Sequence, residues 1–160
     1  MIQAHALTYE PHTSQYKPFV EWEQSLVSRV NAVSRFVAQV MNFILLFRDT
    51  DGSELDIEVA VREAILNAVI HANEETPDKR VYVTCSCSRD GEVWLTIRDE
   101  GNGFDPGAVP DPTTRENRLA THGRGIYLMR ALMDEVSFEQ GGTVVRMRKK
   151  ANADRGDRIQ

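Results

Sequence analysis

Apolar residues recur at intervals of three and four along the first half of the chain: Val30, Val33, Phe36, Val37, Val40, Met41, Ile44 and Leu45. That spacing predicts an amphipathic helix ending near Phe47, with Ser28 and Asn31 as candidate caps. Asp49-Thr-Asp-Gly-Ser breaks it. Ahead of it, Phe-Val-Glu-Trp-Glu-Gln-Ser-Leu from Pro18 reads as a first strand with Trp22 as its core anchor. A second helix is expected from Ser53 to about Asn73, with Asp56 in its first turn. Pro77 and Asp78 mark a turn. Alternating Val81, Val83, Cys85 and Cys87 predict a strand over Arg80 to Ser88, and Asp90-Gly91 predicts a tight reversal into Val93 to Arg98. A long loop follows from Asp99 to His122. Gly123 then opens a third helix to about Met133, and Val136 to Glu139 with Thr143 to Met147 form a last hairpin around Gly141-Gly142. Hairpin-joined strands with segregated helices indicate an α+β two-layer sandwich, helices on one face of a mixed, mostly antiparallel sheet.

At 160 residues the chain holds one core of ordinary size. Residues 1–16 show no period and read as a tail, 17–150 as the domain, and 151–160 as a basic tail. The net charge of −5 argues against a general nucleic-acid binder. It is uneven: Arg146 to Gln160 has six basic and two acidic residues, which reads as a solvated end. No apolar run approaches the ~18 residues of a membrane span. The first ten residues lack a basic start and an apolar region, so no secretory signal is expected. Cys85 and Cys87 fall on one strand face without further ligands nearby, so packed or half-exposed thiols in a reducing cytoplasm are expected.

Three clusters carry candidate chemistry. Glu63, Asn67 and His71 are spaced four apart and line one stripe of a largely apolar helix. Such a stripe needs either neighbouring backbone or a cleft; a carboxylate and a carboxamide one turn apart suit Mg²⁺ and a hydroxyl. Asp99-Glu100-Gly101-Asn102-Gly103-Phe104 follows a strand directly, where glycines admit a ligand close to backbone and Asp99 can accept from an amino group. It also reads as a plain turn. Gly123-Arg124-Gly125-Ile126 opens a helix, whose free N–H groups and positive dipole end attract phosphate. A Walker A loop is excluded, because none of the four lysines follows a glycine-rich run. No His-Arg-Asp or Asp-Phe-Gly set occurs, so a protein-kinase fold of that type is excluded too. His71 and His122 read as structural, and Met41, Met129 and Met133 as core.

Taken in order, these clusters resemble the GHKL (Bergerat-fold) ATPases. Glu63-x-x-x-Asn67 is similar to their N box, Asp99-x-Gly101-x-Gly103 to the G1 box, and Gly123-x-Gly125-Ile126 to the G2 box. Residues 104–122 lie where the ATP lid falls, and Gly142-Thr143-Val144-Val145 resembles the late Gly-Thr strand. Within that superfamily the chain is identified as a member of the anti-sigma-factor serine/threonine protein kinases. The form Asn67-Ala-x-x-His71-Ala, the run Asp111-Pro-Thr-Thr-Arg115 and Leu128-Met-Arg-Ala-Leu-Met-Asp134 carry that likeness.

The resemblance implies ATP and Mg²⁺ as cofactors, with Asn67 on the metal and Glu63 as the base toward a serine hydroxyl. It implies Asp99 on the adenine amino group with Thr143 nearby, and Gly101 and Gly103 shaping the base pocket. It implies Gly123, Arg124, Gly125 and Ile126 on the phosphates, and Arg115 or Arg118 in the lid. It further implies a homodimer that sequesters a sigma factor and phosphorylates a STAS-type anti-anti-sigma protein, without direct nucleic-acid or membrane contact. A stand-alone nucleotide domain of this size acts through a partner. Two alternatives stay open: a nucleotide-gated binding module without turnover, and an isolated histidine-kinase ATPase domain, whose phosphoacceptor His has no candidate here.

Overall fold

The computed structural model describes residues 20–105, 107 and 124–152. The tail 1–16, most of the lid with Arg115 and Arg118, His122, Gly123 and the residues after Asn152 lie outside the described residues.

Strand β1, Val20–Val27, leads into helix α1, Val30–Phe47. The helix buries Val33, Phe36, Val37, Val40, Met41 and Ile44 of the predicted stripe together with Phe43, while Val30 and Leu45, near its two ends, are exposed. Trp22 anchors β1 against this face, its ring 5.6 Å from Phe36 and 6.1 Å from Phe43. Neither expected residue caps α1. Arg29 occupies the cap position, and Asn31 lies inside the helix. Ser28 is buried instead, its N–H donating to the Lys79 carbonyl and its hydroxyl to that of Val69. By length and mean hydropathy (1.5) α1 is long and apolar enough to cross a membrane. Asn31, Ser34, Arg35, Gln39 and Asn42 interrupt its apolar run, which is why the sequence shows no continuous span, and the seven buried residues fix it in the core.

Helix α2, Glu54–Leu66, buries Ile57, Ala60, Val61, Ala64 and Ile65. Its last stretch is not α-helical. Asn67–Ala72 form a π-helical turn, closed by Asn73 N–H donating to the Ala68 carbonyl at 2.9 Å. Glu74 and Glu75 follow with φ of 53° and 49°. Strands β2 (Arg80–Cys87) and β3 (Val93–Arg98) form the predicted hairpin, with Gly91 at φ 79° in its turn. Helix α3 (Arg124–Leu132), β4 (Glu135–Glu139) and β5 (Val144–Lys149) complete the described chain.

The sheet order is β1-β2-β3-β5-β4, and all four pairings are antiparallel. Val81, Val83, Cys85, Val93, Leu95, Ile97, Val145 and Met147 meet the helices on one face. Cys85 and Cys87 are both buried free thiols, as expected. Removing these side chains from water is the main force holding the two layers together. The other face carries polar and aromatic partners: Arg98 sits 4.1 Å over the Tyr82 ring and Arg148 4.8 Å over Trp94.

Far from the motif residues, the end of α1 is tied down by charge. Arg48 is buried and donates to Asp51 at 2.6 Å and to the Lys150 carbonyl at 3.1 Å. Asp51 also accepts from the Ser53 N–H and hydroxyl and from the Asn152 N–H. Burial opposes ionisation of Asp51. The hydrogen bonds from Ser53 and Asn152 and the Arg48 charge overcome it and hold its carboxyl at about 2. A cavity of about 480 Å³ opens beside this cluster, between Leu46, Arg48, Arg89, Gly91 and Asn152, and none of the motif residues lines it.

Candidate nucleotide site

The apolar stripe that buries α2 leaves Glu63 and Asn67 on its flank, both half-buried. There they meet the start of α3. A Cβ on Gly125 would lie 2.8 Å from Glu63 Oε2 and 3.1 and 3.3 Å from the Asn67 Nδ2 and Oδ1. Any larger residue there would push the ends of the Glu63 and Asn67 side chains aside. The first N–H groups of a helix have no acceptor within it, so α3 directs donors and the positive end of its dipole toward this corner. Ile126 is buried and seats the helix, and Arg124 is exposed.

The second part forms at the end of β3. Asp99 is nearly buried; its N–H donates to the Thr143 carbonyl at 3.0 Å, and its Oδ1 accepts from the Gly101 N–H at 2.8 Å. Burial raises its carboxyl above the ordinary value, against the Gly101 bond and the charges of Lys79 and Arg98. A Cβ on Gly101 would run into the Ala72 carbonyl at the end of the π-turn. Gly103 has φ 74°, and a side chain there would strike the Gly141 carbonyl, to which Phe104 N–H donates at 2.9 Å. The Thr143 hydroxyl is bonded to the Gln140 carbonyl at 3.0 Å.

Two groupings result. Glu63, Asn67 and Gly125 come together, and Asp99, Gly101, Gly103 and Thr143 come together. The π-turn joins them, beginning at Asn67 and ending where Ala72 supports Gly101. Arg115 and Gly123 lie outside the described residues, and His71 lies exposed in the π-turn. Asn73 is the residue that sequence reasoning missed. It reads as a helix end, yet it is fully buried, and its side chain accepts from the Glu100 N–H and donates to the Arg80 carbonyl, each at 3.0 Å. The only signal available is an Asn directly after the helical pattern stops. Among the described residues no group of three or more His, Cys, Asp or Glu is placed to hold a metal. A cation at Asn67 therefore fits only when a ligand's own oxygens complete its shell, which is the usual situation of Mg²⁺ on a triphosphate.

The histidine kinase-like ATPase domain matches residues 24–149, which span every element described except the start of β1. The chain belongs to this ATPase-domain family. An anti-sigma F factor of Heyndrickxia coagulans is 39% identical over 98 residues, covering 58% of this chain and 66%, just under two thirds, of that protein. An anti-sigma F factor of Clostridium botulinum is 32% identical over 140 residues, covering 84% of this chain and 92% of that protein. Serine-protein kinase RsbW of Bacillus subtilis is 34% identical over 109 residues, 64% of this chain and 68% of that one. The RsbU and RsbW domains of a Mycobacterium tuberculosis protein share the fold, at a TM-score of 0.55 and 18% identity. That alignment covers 82% of this chain and 32% of theirs. The histidine kinase-like ATPase fold thus accounts for the open five-stranded sheet with helices on one face. The relatives above carry the names anti-sigma F factor and serine-protein kinase.

Proposed function

We propose that this ATPase-domain protein is an ATP- and Mg²⁺-dependent serine/threonine protein kinase that doubles as an anti-sigma factor. In this reading it sequesters a sigma factor in one state and phosphorylates a STAS-type anti-anti-sigma protein on serine in the other. It works as a homodimer in the cytoplasm and contacts neither membrane nor nucleic acid. Relatives named anti-sigma F factor and serine-protein kinase support it. The observation that carries it is the seat of Gly125 on Glu63 and Asn67, which sets helix-terminal donors beside a carboxylate and a carboxamide.

Each residue then has a proposed role, which for the described ones their surroundings allow. Asp99 accepts from the adenine amino group, with Thr143 beside it, and Gly101 and Gly103 leave room for the base. Gly123, Arg124, Gly125 and Ile126 offer backbone N–H groups to the phosphates, and Arg115 adds charge from the lid. Asn67 would hold Mg²⁺ through its amide oxygen, supplying charge neutralisation for the phosphates when the ion is bound. Glu63 takes the serine proton as the new oxygen–phosphorus bond forms and ADP leaves. Phosphoryl transfer needs little else from a protein than such placement of charge and donors.

Incubation with radiolabelled ATP and a cognate STAS protein tests this. Label on serine, lost in Glu63→Gln by at least a hundredfold, is expected. Nucleotide binding with no label on the serine would leave only a nucleotide-gated binding module. In a binding titration of ATP with Mg²⁺, loss of metal-dependent affinity in Asn67→Ala and of adenine recognition in Asp99→Asn is expected. If neither change matters, the residue assignments are wrong.

A further inference from the structure

We propose that Asn73 is the positioning residue of the adenine subsite, fixing the turn after Asp99 so that base selectivity depends on a side chain remote from the phosphates. This rests on the ATP reading above and extends it.

Asn73 has no solvent-exposed surface. Its amide is used at both ends: Oδ1 accepts from Glu100 N–H and Nδ2 donates to the Arg80 carbonyl, each at 3.0 Å. No other residue satisfies both groups from this position. Aspartate would set a second oxygen against the Arg80 carbonyl, glutamine is too long, and leucine would leave a buried donor and a buried acceptor unmet. The Glu100 peptide it grips lies between Asp99 and Gly101, the two residues that close on one another through the Asp99 carboxylate. The Glu100 carboxylate in turn accepts from the Arg80 N–H at 2.7 Å and the Tyr82 hydroxyl at 3.1 Å, so β2 holds the same turn from the other side. Thr143 fixes the Asp99 N–H. The Asp99 N–H, the Asp99 carboxylate and the Glu100 N–H that follows are each hydrogen-bonded, which restricts how the Asp99 side chain is presented before any base arrives. Preorganisation of this kind is what makes a single hydrogen bond selective.

The grip also reaches the metal side. Asn73 closes the π-turn that begins at Asn67, so one six-residue segment sets the height of Asn67 relative to Asp99.

Calorimetric titration of ATP and GTP, with Mg²⁺, into wild type and Asn73→Ala well below the melting midpoint tests the proposal. Wild type is expected to prefer ATP. In the variant, ATP affinity is expected to fall at least tenfold and GTP affinity by less than threefold, so the preference collapses. A merely structural role would weaken both nucleotides alike. ATP binding and preference unchanged in the variant, or an equal loss for both nucleotides, overturns the positioning role and leaves the ATP reading intact. Absence of ATP binding by wild type overturns that reading and this one with it. Should Asn73→Ala fail to fold, amide exchange on nucleotide-free wild type decides. Glu100 N–H protected as strongly as the β3 amides supports the grip; exchange at the rate of an exposed turn overturns it.

Discussion

Gly125 sits in a helix, where alanine is ordinarily the better residue by about 1 kcal/mol. Here the Cβ would meet the Glu63 and Asn67 side chains instead of solvent. Gly125→Ala is therefore expected to fold normally and to bind ATP at least tenfold more weakly, read by calorimetry beside a thermal melt. Asp99 shows a related conflict between stability and function. Its carboxyl is raised by burial, so protonation favours the folded state; that contribution is present at low pH and is lost as pH rises through the folded value. Asp99→Asn keeps an acceptor for Gly101 and removes the buried charge. It is expected to leave the urea midpoint at neutral pH unchanged or higher while weakening ATP. Wild-type ATP affinity is expected to drop on acidification at a pH above the ordinary aspartate range. Asp51 has the opposite sign. With its carboxyl held at about 2, its contribution is present above about pH 4 and fades as pH falls toward that value. Asp51→Asn should cost about 2 kcal/mol at pH 7, measured by urea unfolding, and nearly nothing at pH 2.

Among the elements, the π-turn at Asn67–Ala72 has the most leverage. A π-turn carries one residue more than the α-helix it interrupts, and such insertions collect at functional sites. Deleting the half-exposed Ile70 is expected to restore α-helical bonding. Because the bulge absorbs its one extra residue, the segment after it would keep nearly the same facing relative to Asn67, and only residues inside the turn would be re-aimed. Asn73 should keep Glu100, and ATP affinity is expected to fall less than in Asn67→Ala, read by calorimetry, while circular dichroism keeps its helical signal. The chain does not advertise this turn, because Ala68, Val69 and Ile70 continue the apolar pattern of α2 without a break. The stripe of Glu63 and Asn67 is legible because α2 is otherwise apolar, and the Asp-x-Gly-x-Gly pattern because it follows a strand. Their closeness to Gly125 is not legible, since it depends on how α3 packs on α2. The capping of α1 is misread for a similar reason: Ser28 has good cap chemistry, but tertiary contacts with Val69 and Lys79 claim it.

Across the whole molecule, the nucleotide corner and the Arg48–Asp51 cluster occupy opposite ends of the β2–β3 hairpin. Arg80 and Asp99 lie at one end, Arg89 and Gly91 at the other. Eight residues of strand separate them, about 25 Å. Changes at such a distance add. The double variant Asp51→Asn with Asn67→Ala is expected to show the summed loss of stability within about 0.5 kcal/mol and the nucleotide affinity of Asn67→Ala alone. Glu74 and Glu75, just past the π-turn, sit side by side in left-handed backbone without a glycine between them. Such conformations cost of order 1 kcal/mol apiece in a residue with a side chain, less for asparagine. Heat tolerance can therefore be engineered at that bend, with asparagine in either place, provided the neighbouring amide of Asn73 keeps its grip.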